Sequence, residues 1–300
     1  MASTVIMLGY GDMDASETAR MEMRANTEGR TTDGSLDDLR WGACSIQGWP
    51  DYMEDRYAIC VDNKDLIVGV YDGHKGSKVS SLCASRLHAE LLQARAGGLP
   101  LSDSLVKTFM AIDEKVGQDE SLKYEGSTAL VVVITDGKMV VANAGDCRCV
   151  LSRQGRALEL STDHHGDVGD ERSRVMRAGG YVHGDRVYHG SLELGVSRAI
   201  GDFGFKTNAG LRQDEQVVIA KPEVREEEIG ENDEFLVVAS DGIWGSRSSD
   251  EVVDFVADRL RNGVASLSGM CRDLAESCLV SDSKHSSSRD NMTVVIVRFK

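Results

Sequence analysis

Positive charge is scarce in this 300-residue chain: 34 lysines and arginines face 49 acidic residues, a formal net charge of −15. Binding to nucleic acid or to an anionic membrane rests on Lys and Arg neutralising phosphates, so neither is an expected partner. An enzyme acting on phosphate esters would need metal ions or a few placed cations to reverse this potential. No apolar run approaches the ~20 residues of a membrane span, and the start Met1-Ala2-Ser3 carries no secretory or myristoylation pattern. The seven cysteines (Cys44, Cys60, Cys83, Cys147, Cys149, Cys271 and Cys278) are odd in number and form no C-x-x-C. That is the pattern of buried, reduced thiols in a cytoplasmic or nuclear protein. Three catalytic signatures are missing: His-Cys-x5-Arg of a cysteinyl-phosphate mechanism, Asp-x-Asp-x-Thr of an aspartyl-phosphate one, and the Gly-x4-Gly-Lys-[Ser/Thr] loop of a nucleotide-binding ATPase.

There is also no internal repeat and no linker. A hydrophobic content of 41% is enough for a sizeable core. Residues 1–38 are polar without a sustained period and read as an N-terminal extension, partly ordered or flexible. Residues 39–300 read as one domain. Strands are expected near 41–47, 56–61 and 66–71. Residues 77–96 carry Val79, Leu82, Cys83, Leu87, Leu91 and Leu92 on one helical face. Ser102 reads as the N-cap of a second helix. Asp136-Gly137 between two apolar runs marks a hairpin. Asp170–Ala178 reads as a short helix. Residues 183–216 are polar and irregular, which fits either an active-site flap or elements the periodicity does not resolve. Ser248-Ser249-Asp250-Glu251 is a capping box opening a helix to Asn262, and 267–280 is a further helix. Residues 281–289 form a Ser-rich loop. Tight hairpins make the sheets antiparallel, with helix pairs on their outer faces. The fold class is α+β.

Two Asp-Gly pairs stand where apolar strands end. Leu66–Tyr71 runs into Asp72-Gly73-His74, and Phe235–Ser240 runs into Asp241-Gly242-Ile243-Trp244. A strand that stops at a carboxylate projects it from the sheet rim, and the Gly lets the backbone turn and approach a ligand. Glu54-Asp55 opens one strand and Asp290-Asn291 another. Converging, these ends would make a cage of oxygen ligands suited to hard divalent cations.

From Trp41 to Phe299 the chain resembles the type 2C family of metal-dependent serine/threonine protein phosphatases. The pieces stand in family order: Met53-Glu54-Asp55, Asp72-Gly73-His74-x-Gly76, Gly126-Ser127-Thr128-Ala129, Asn143-x-Gly145-Asp146-x-Arg148, Asp163-His164, Ser197-Arg198-Ala199-Ile200-Gly201-Asp202, Lys221-Pro222-Glu223, Asp241-Gly242-Ile243-Trp244 and Asp290-Asn291-Met292-Thr293. The resemblance implies a four-layer α/β/β/α sandwich and hydrolysis of phosphoserine and phosphothreonine in proteins by a water activated at a binuclear Mg²⁺ or Mn²⁺ centre. Asp72 would bridge the ions, Glu54 and the Gly73 carbonyl would serve one, and Asp241 and Asp290 the other. His74 would be the general acid for the departing Ser or Thr oxygen. Asp55, Thr128, Asn143 and Asn291 would support the ligands, His164 could orient loops nearby, and Arg198 borders the flap. Phosphoproteins are the implied partners, and the family is typically monomeric.

Two positions depart from the family. The arginine that usually stands four residues before the ligand Glu is here Pro50, one of only three prolines. Proline has no charge and no N–H donor, so that clamp on the substrate phosphate is missing. Lys75, Arg56 or Arg198 could compensate, with Lys75, beside His74, the best placed. The acidic residue expected four after Asp241 is Gly245. A third metal, which would draw on Asp146, is therefore expected to be weak or absent. The sequence thus carries two readings: a phosphatase with weakened phosphate binding, or a pseudophosphatase serving as a metal-bound binding or scaffold module.

Overall fold

The strand Ala129–Thr135 reads Ala-Leu-Val-Val-Val-Ile-Thr, and every one of its residues is buried. A strand apolar on both faces needs cover on both sides. Successive side chains point to opposite faces, so Val131 and Val133 meet the helical layer while Leu130 and Val132 meet a second sheet. The same alternation splits Val237 from Val238 and Val294 from Val295 in that second sheet.

The computed structural model describes residues 4–7, 25–263, 266–279 and 290–299. Its first sheet orders the strands Thr4–Met7, Arg56–Asp62, Asp65–Tyr71, Ala129–Thr135, Lys138–Ala144 and Glu223–Glu228. The second orders Arg156–Glu159, Arg148–Arg153, Asp233–Ala239, Met292–Arg298, Leu39–Gly48 and Asn26–Leu36. Neighbouring strands within both sheets are antiparallel. Helices α1 (Lys78–Ala96) and α2 (Leu101–Gly117) cover the first sheet through Leu87, Leu91, Phe109 and Ile112. Between the first sheet and the second's covering helices the chain makes a short helix, α3 (Gly169–Arg177), and a small three-stranded sheet, Tyr181–His183, Arg186–His189 and Leu192–Leu194, around a separate core with Phe205 and Val217. The second sheet is covered by α4 (Asp241–Trp244), α5 (Ser249–Arg261) and α6 (Leu267–Cys278) through Trp244, Val252, Val256, Met270 and Leu274. This is the expected α/β/β/α sandwich.

Three local readings change. Asn26–Leu36, inside the segment read as an extension, is an edge strand paired with Leu39–Gly48. Its sequence Asn-Thr-Glu-Gly-Arg-Thr-Thr-Asp-Gly-Ser-Leu has almost no apolar face, which suits a sheet edge and hides the strand from periodicity. The N-cap residue of α2 is Pro100, not Ser102, whose hydroxyl instead donates to Glu226. Residues 183–216 hold short strands and 3-10 turns, too brief to show a period. The capping box at Ser248 and Glu251 is formed, and all seven cysteines are free and buried. The Ser-rich stretch 281–289 lies outside the described residues. Among the described residues no helix is long and apolar enough to cross a membrane.

Strand register explains why the acids meet. Arg56 pairs with Tyr71, so Glu54-Asp55 and Asp72 leave adjacent strands at the same rim. Ala239 pairs with both Val294 and Arg148, so Asp241, Asp290 and Asp146 leave three adjacent strands of the facing sheet.

Candidate metal centre

At that rim, carboxylate oxygens of Asp72, Asp146 and Asp241 lie within 4.8 Å of one another. Asp55 is buried behind them, with Oδ2 accepting from Ser240 Oγ at 2.8 Å. Asp72 faces both Asp55 and Asp241, so the three carboxyls act on one another electrostatically. Burial, then mutual repulsion, drives the carboxyls upward: Asp72 and Asp241 rise well above the usual range, and Asp55 reaches about 7. Burial also raises Asp146, Asp290 and Glu54, the last opposed by the Gly76 amide that donates to its carboxylate. Oδ1 of Asp55 and Oδ1 of Asp241 are buried without a hydrogen-bond partner among the described residues. An all-oxygen donor set with orphaned, repelling carboxylates fits hard divalent cations such as Mg²⁺ or Mn²⁺.

The loops that carry these acids are tied to each other. The Glu54 amide donates to Asn291 Oδ1 at 2.7 Å, and Asn291 Nδ2 donates to the carbonyls of Gln47 and Tyr52. The Asp72 amide donates to Thr128 Oγ1 at 3.0 Å, and the Thr128 amide returns a bond to the Asp72 carbonyl. Asn143 Nδ2 holds the carbonyls of Gly145 and Thr162. Arg148 grips Asp163 through Nε and Nη2 and lies over the Trp244 ring, joining the Asp146 loop to α4. His164 is buried, its Nδ1 beside the Gly145 amide and carbonyl, and so braces the same loop. Neither Gly73 nor Gly242 has a positive φ. Their role is close approach: a Cβ would lie 2.6 Å from the Glu54 carbonyl oxygen in one case and 2.2 Å from that of Asn291 in the other.

His74 Nε2 lies 2.6 Å from Asp202 Oδ2. Burial lowers the imidazole's proton affinity, but the Asp202 charge outweighs it and the balance is upward. Asp202 sits in a quoted motif, yet sequence reasoning assigned it no role. The available signal was the same strand-end placement that marked Asp72: Ile200-Gly201 is a short strand, and the Asp follows it. Lys75 is exposed beside His74 at φ 59°, with Nζ 5.8 Å from the Phe205 ring centre. Arg198 lies apart from the carboxylate cluster, bonded to Glu171 through Nε and Nη2 and to the Lys221 carbonyl. Arg56 is buried and donates to the carbonyls of Met53 and Asp55. Pro50 presents only its carbonyl, which accepts from Gln47 Nε2. Gly245 caps α4, its amide donating to the Asp241 carbonyl.

The family model "Protein phosphatase 2C" matches residues 39–287. "Probable protein phosphatase 2C 60" of Arabidopsis thaliana is 37% identical over 326 residues, covering 91% of this chain and 90% of the relative. "Protein phosphatase 2C homolog 2" of Aspergillus fumigatus is 38% identical over 294 residues, covering 90% of this chain and 67% of that one. Among solved structures, a phosphatase from Toxoplasma gondii superposes with a TM-score of 0.75 at 24% identity, over 90% of this chain and 95% of that chain, a likeness of fold. With the match to the family model spanning most of the sandwich, and the Arabidopsis relative 37% identical over 90% of its length, the chain belongs to the protein phosphatase 2C family.

Proposed function

We propose that the chain hydrolyses phosphoserine and phosphothreonine in proteins, using two Mg²⁺ or Mn²⁺ ions held by Asp72, Glu54, the Gly73 carbonyl, Asp241 and Asp290. The observation that carries this reading is the convergence of half-buried carboxylates on one rim, with unpartnered oxygens on Asp241 and on the buried Asp55 behind them. Ions bound there would supply an activated water and neutralise the phosphoryl oxygens.

The chain's own residues divide the remaining work. Asp72, between the Glu54 and Asp241 sides of the rim, is the ligand both ions would share. Asn291 and Thr128 fix the backbone on either side of the cluster, and Asp55 holds the Ser240 hydroxyl from behind. His74 holds the proton for the departing alkoxide, a transfer worth about 10²–10⁴-fold. Lys75, exposed beside it, is the proposed contact for substrate phosphate in place of the arginine that Pro50 displaces. Gly245 offers no carboxylate, so a third ion at Asp146 is weak or absent. Arg198, spent on Glu171, is a brace of the α3 segment and not a substrate contact. The molecule is proposed to act as a monomer in the cytoplasm or nucleus.

The missing cation at Pro50 favours the second reading, a metal-bound scaffold without turnover. Purified protein assayed with Mn²⁺, Mg²⁺ or EDTA on an aryl phosphate and on phosphothreonine peptides separates the two. Metal-dependent turnover abolished by Asp72→Asn and by Asp241→Asn supports the enzyme. Absence of turnover at saturating bound Mn²⁺ supports the scaffold.

A further inference from the structure

We infer that Asp202 is the positioning residue of His74, locking the imidazole through Nε2 so that Nδ1 faces the leaving group; the inference rests on the hydrolytic reading above. Three short strands carry the argument. Ile200–Gly201 pairs with Gly126–Ser127, which pairs in turn with Gly73–His74. Gly126 stands in the middle, in register with both Gly201 and His74. It has no side chain, so His74 and Asp202 reach across it and meet at 2.6 Å. A Cβ on Gly126 would lie 2.0 Å from Asp202 Oδ2 and 2.5 Å from His74 Nε2. The gap above that glycine is therefore filled by the pair itself.

Asp202 is held for this contact and for no other evident purpose. It is 1% exposed, its Oδ1 has no partner among the described residues, and its backbone sits in the left-handed region at φ 54°. A non-glycine residue there costs energy and persists only where its surroundings over-determine it. The surroundings do so: the Asp202 amide donates to the Glu125 carbonyl at 3.0 Å, and the Gly201 amide donates to Asp113 Oδ1 at 2.8 Å. Lys206 ion-pairs with Asp113. The Asp202 carboxylate is thus reserved for the ring.

A carboxylate on one imidazole nitrogen fixes both ring orientation and tautomer. With Nε2–H held by Asp202, the proton given to the departing Ser or Thr oxygen comes from Nδ1 as the P–O bond breaks. The electron pair of that bond stays on the leaving oxygen, which takes the proton, and the ring is left neutral with its Nε2 proton in place.

Leaving-group dependence tests this. A serine or threonine alkoxide needs the proton, whereas p-nitrophenolate does not. Asp202→Asn is expected to cut kcat on a phosphothreonine peptide by about 10²-fold or more, and kcat on p-nitrophenyl phosphate by less than a tenth of that factor. The aryl ester reports the folded fraction, so partial misfolding cannot imitate the result. In a His74→Gln background, Asp202→Asn is expected to remove nothing further on the peptide. Equal losses on the two substrates, or a multiplied loss in the His74→Gln background, overturn the inference. ¹⁵N-histidine NMR of the metal-free chain gives a readout independent of turnover. The Nε2-protonated tautomer is expected for His74 in the wild type and a mixture in Asp202→Asn, and the same tautomer in both would overturn it. Should the wild type turn over neither substrate with metal bound, the hydrolytic reading fails, while the tautomer measurement still decides whether Asp202 orients the ring.

Discussion

Gly242 packs its backbone so closely on Asn291 that a Cβ would sit 2.2 Å from the Asn291 carbonyl oxygen. The contact joins the strand end that carries Asp241 to the one that carries Asp290. Both acids belong to the proposed cation cage, so spacing between these two backbones sets the spacing of its ligands. Gly242→Ala should force the loops apart. Overpacking of this kind costs about 1–3 kcal/mol, and misplacing ligand supports costs about 10–100-fold in metal affinity. Calorimetric titration with Mn²⁺ is expected to show at least a tenfold weaker site in Gly242→Ala. Unchanged affinity would mean the cage tolerates the displacement.

The clustered carboxyls make metal-free stability depend on pH with a definite sign. Asp55, Asp72, Asp241 and Asp290 all have folded proton affinities above their ordinary values, raised first by burial, with Asp55 reaching about 7. The folded, metal-free chain therefore holds more protons than the unfolded chain from about pH 4, the ordinary Asp value, upward through those raised values. Stability falls as pH rises through that window. A bound cation takes the place of the protons and removes the penalty. The increase in Tm on adding Mn²⁺ to EDTA-treated protein should grow steadily from pH 5 to pH 8, and binding should release protons to the buffer. An increment independent of pH would show that the acids ionise without cost.

How much of this was legible before the fold was known follows from where each signal lives. Asp72 and Asp241 were readable because strand, carboxylate and glycine are contiguous, but they leave different sheets, and their meeting across the sandwich leaves no local signal. The α1 and α5 helices announced themselves through an apolar face and a capping box. What the glycines do was misjudged in part. Close approach to a distant carbonyl leaves no local trace, and Gly73 and Gly242 need no unusual φ. The Asn26–Leu36 edge strand was hidden by its polarity. Asp202 escaped because its partner His74 lies 128 residues away and only two two-residue ladders, through Gly126–Ser127, join them.

At Pro50 a single substitution asks whether the missing cation limits the chemistry. A hydrogen bond to a charged group is worth about 1.5–3 kcal/mol, so restoring an arginine should improve phosphopeptide kcat/KM by about ten- to a hundredfold. The change is compatible with the local backbone, since Pro50 engages only through its carbonyl. Pro50→Arg is expected to act chiefly on KM. In the same assay Lys75→Ala should raise KM if Lys75 now contacts the phosphate, and the effect should shrink in the Pro50→Arg background. Additive effects would assign the two cations to separate tasks, and no effect of Lys75→Ala would remove it as a phosphate contact.

Glu171 is gripped by two arginines. Its carboxylate, buried with Arg174, accepts from Arg174 Nη1 at 2.7 Å and from Arg198 Nε and Nη2, and it also receives the Ser197 hydroxyl. Burial pushes the Glu171 carboxyl upward, but the bonds and charges of Arg198 and Arg174 outweigh it and hold it below the usual range. A carboxyl depressed in the folded state stabilises at pH above its unfolded value, near ~4.3, and that contribution is lost as pH falls through the lower folded value. Removing one partner of a buried pair strands the others, at a cost of about 3–5 kcal/mol. Glu171→Gln should therefore destabilise the protein by about that amount at pH 7, with the gap to wild type narrowing below pH ~4. Arg198→Ala should likewise lower Tm while leaving KM for a phosphopeptide within about twofold, because its side chain is bonded to Glu171 on α3 and to the Lys221 carbonyl. A large rise in KM with Tm unchanged would reverse that assignment and make Arg198 a substrate contact.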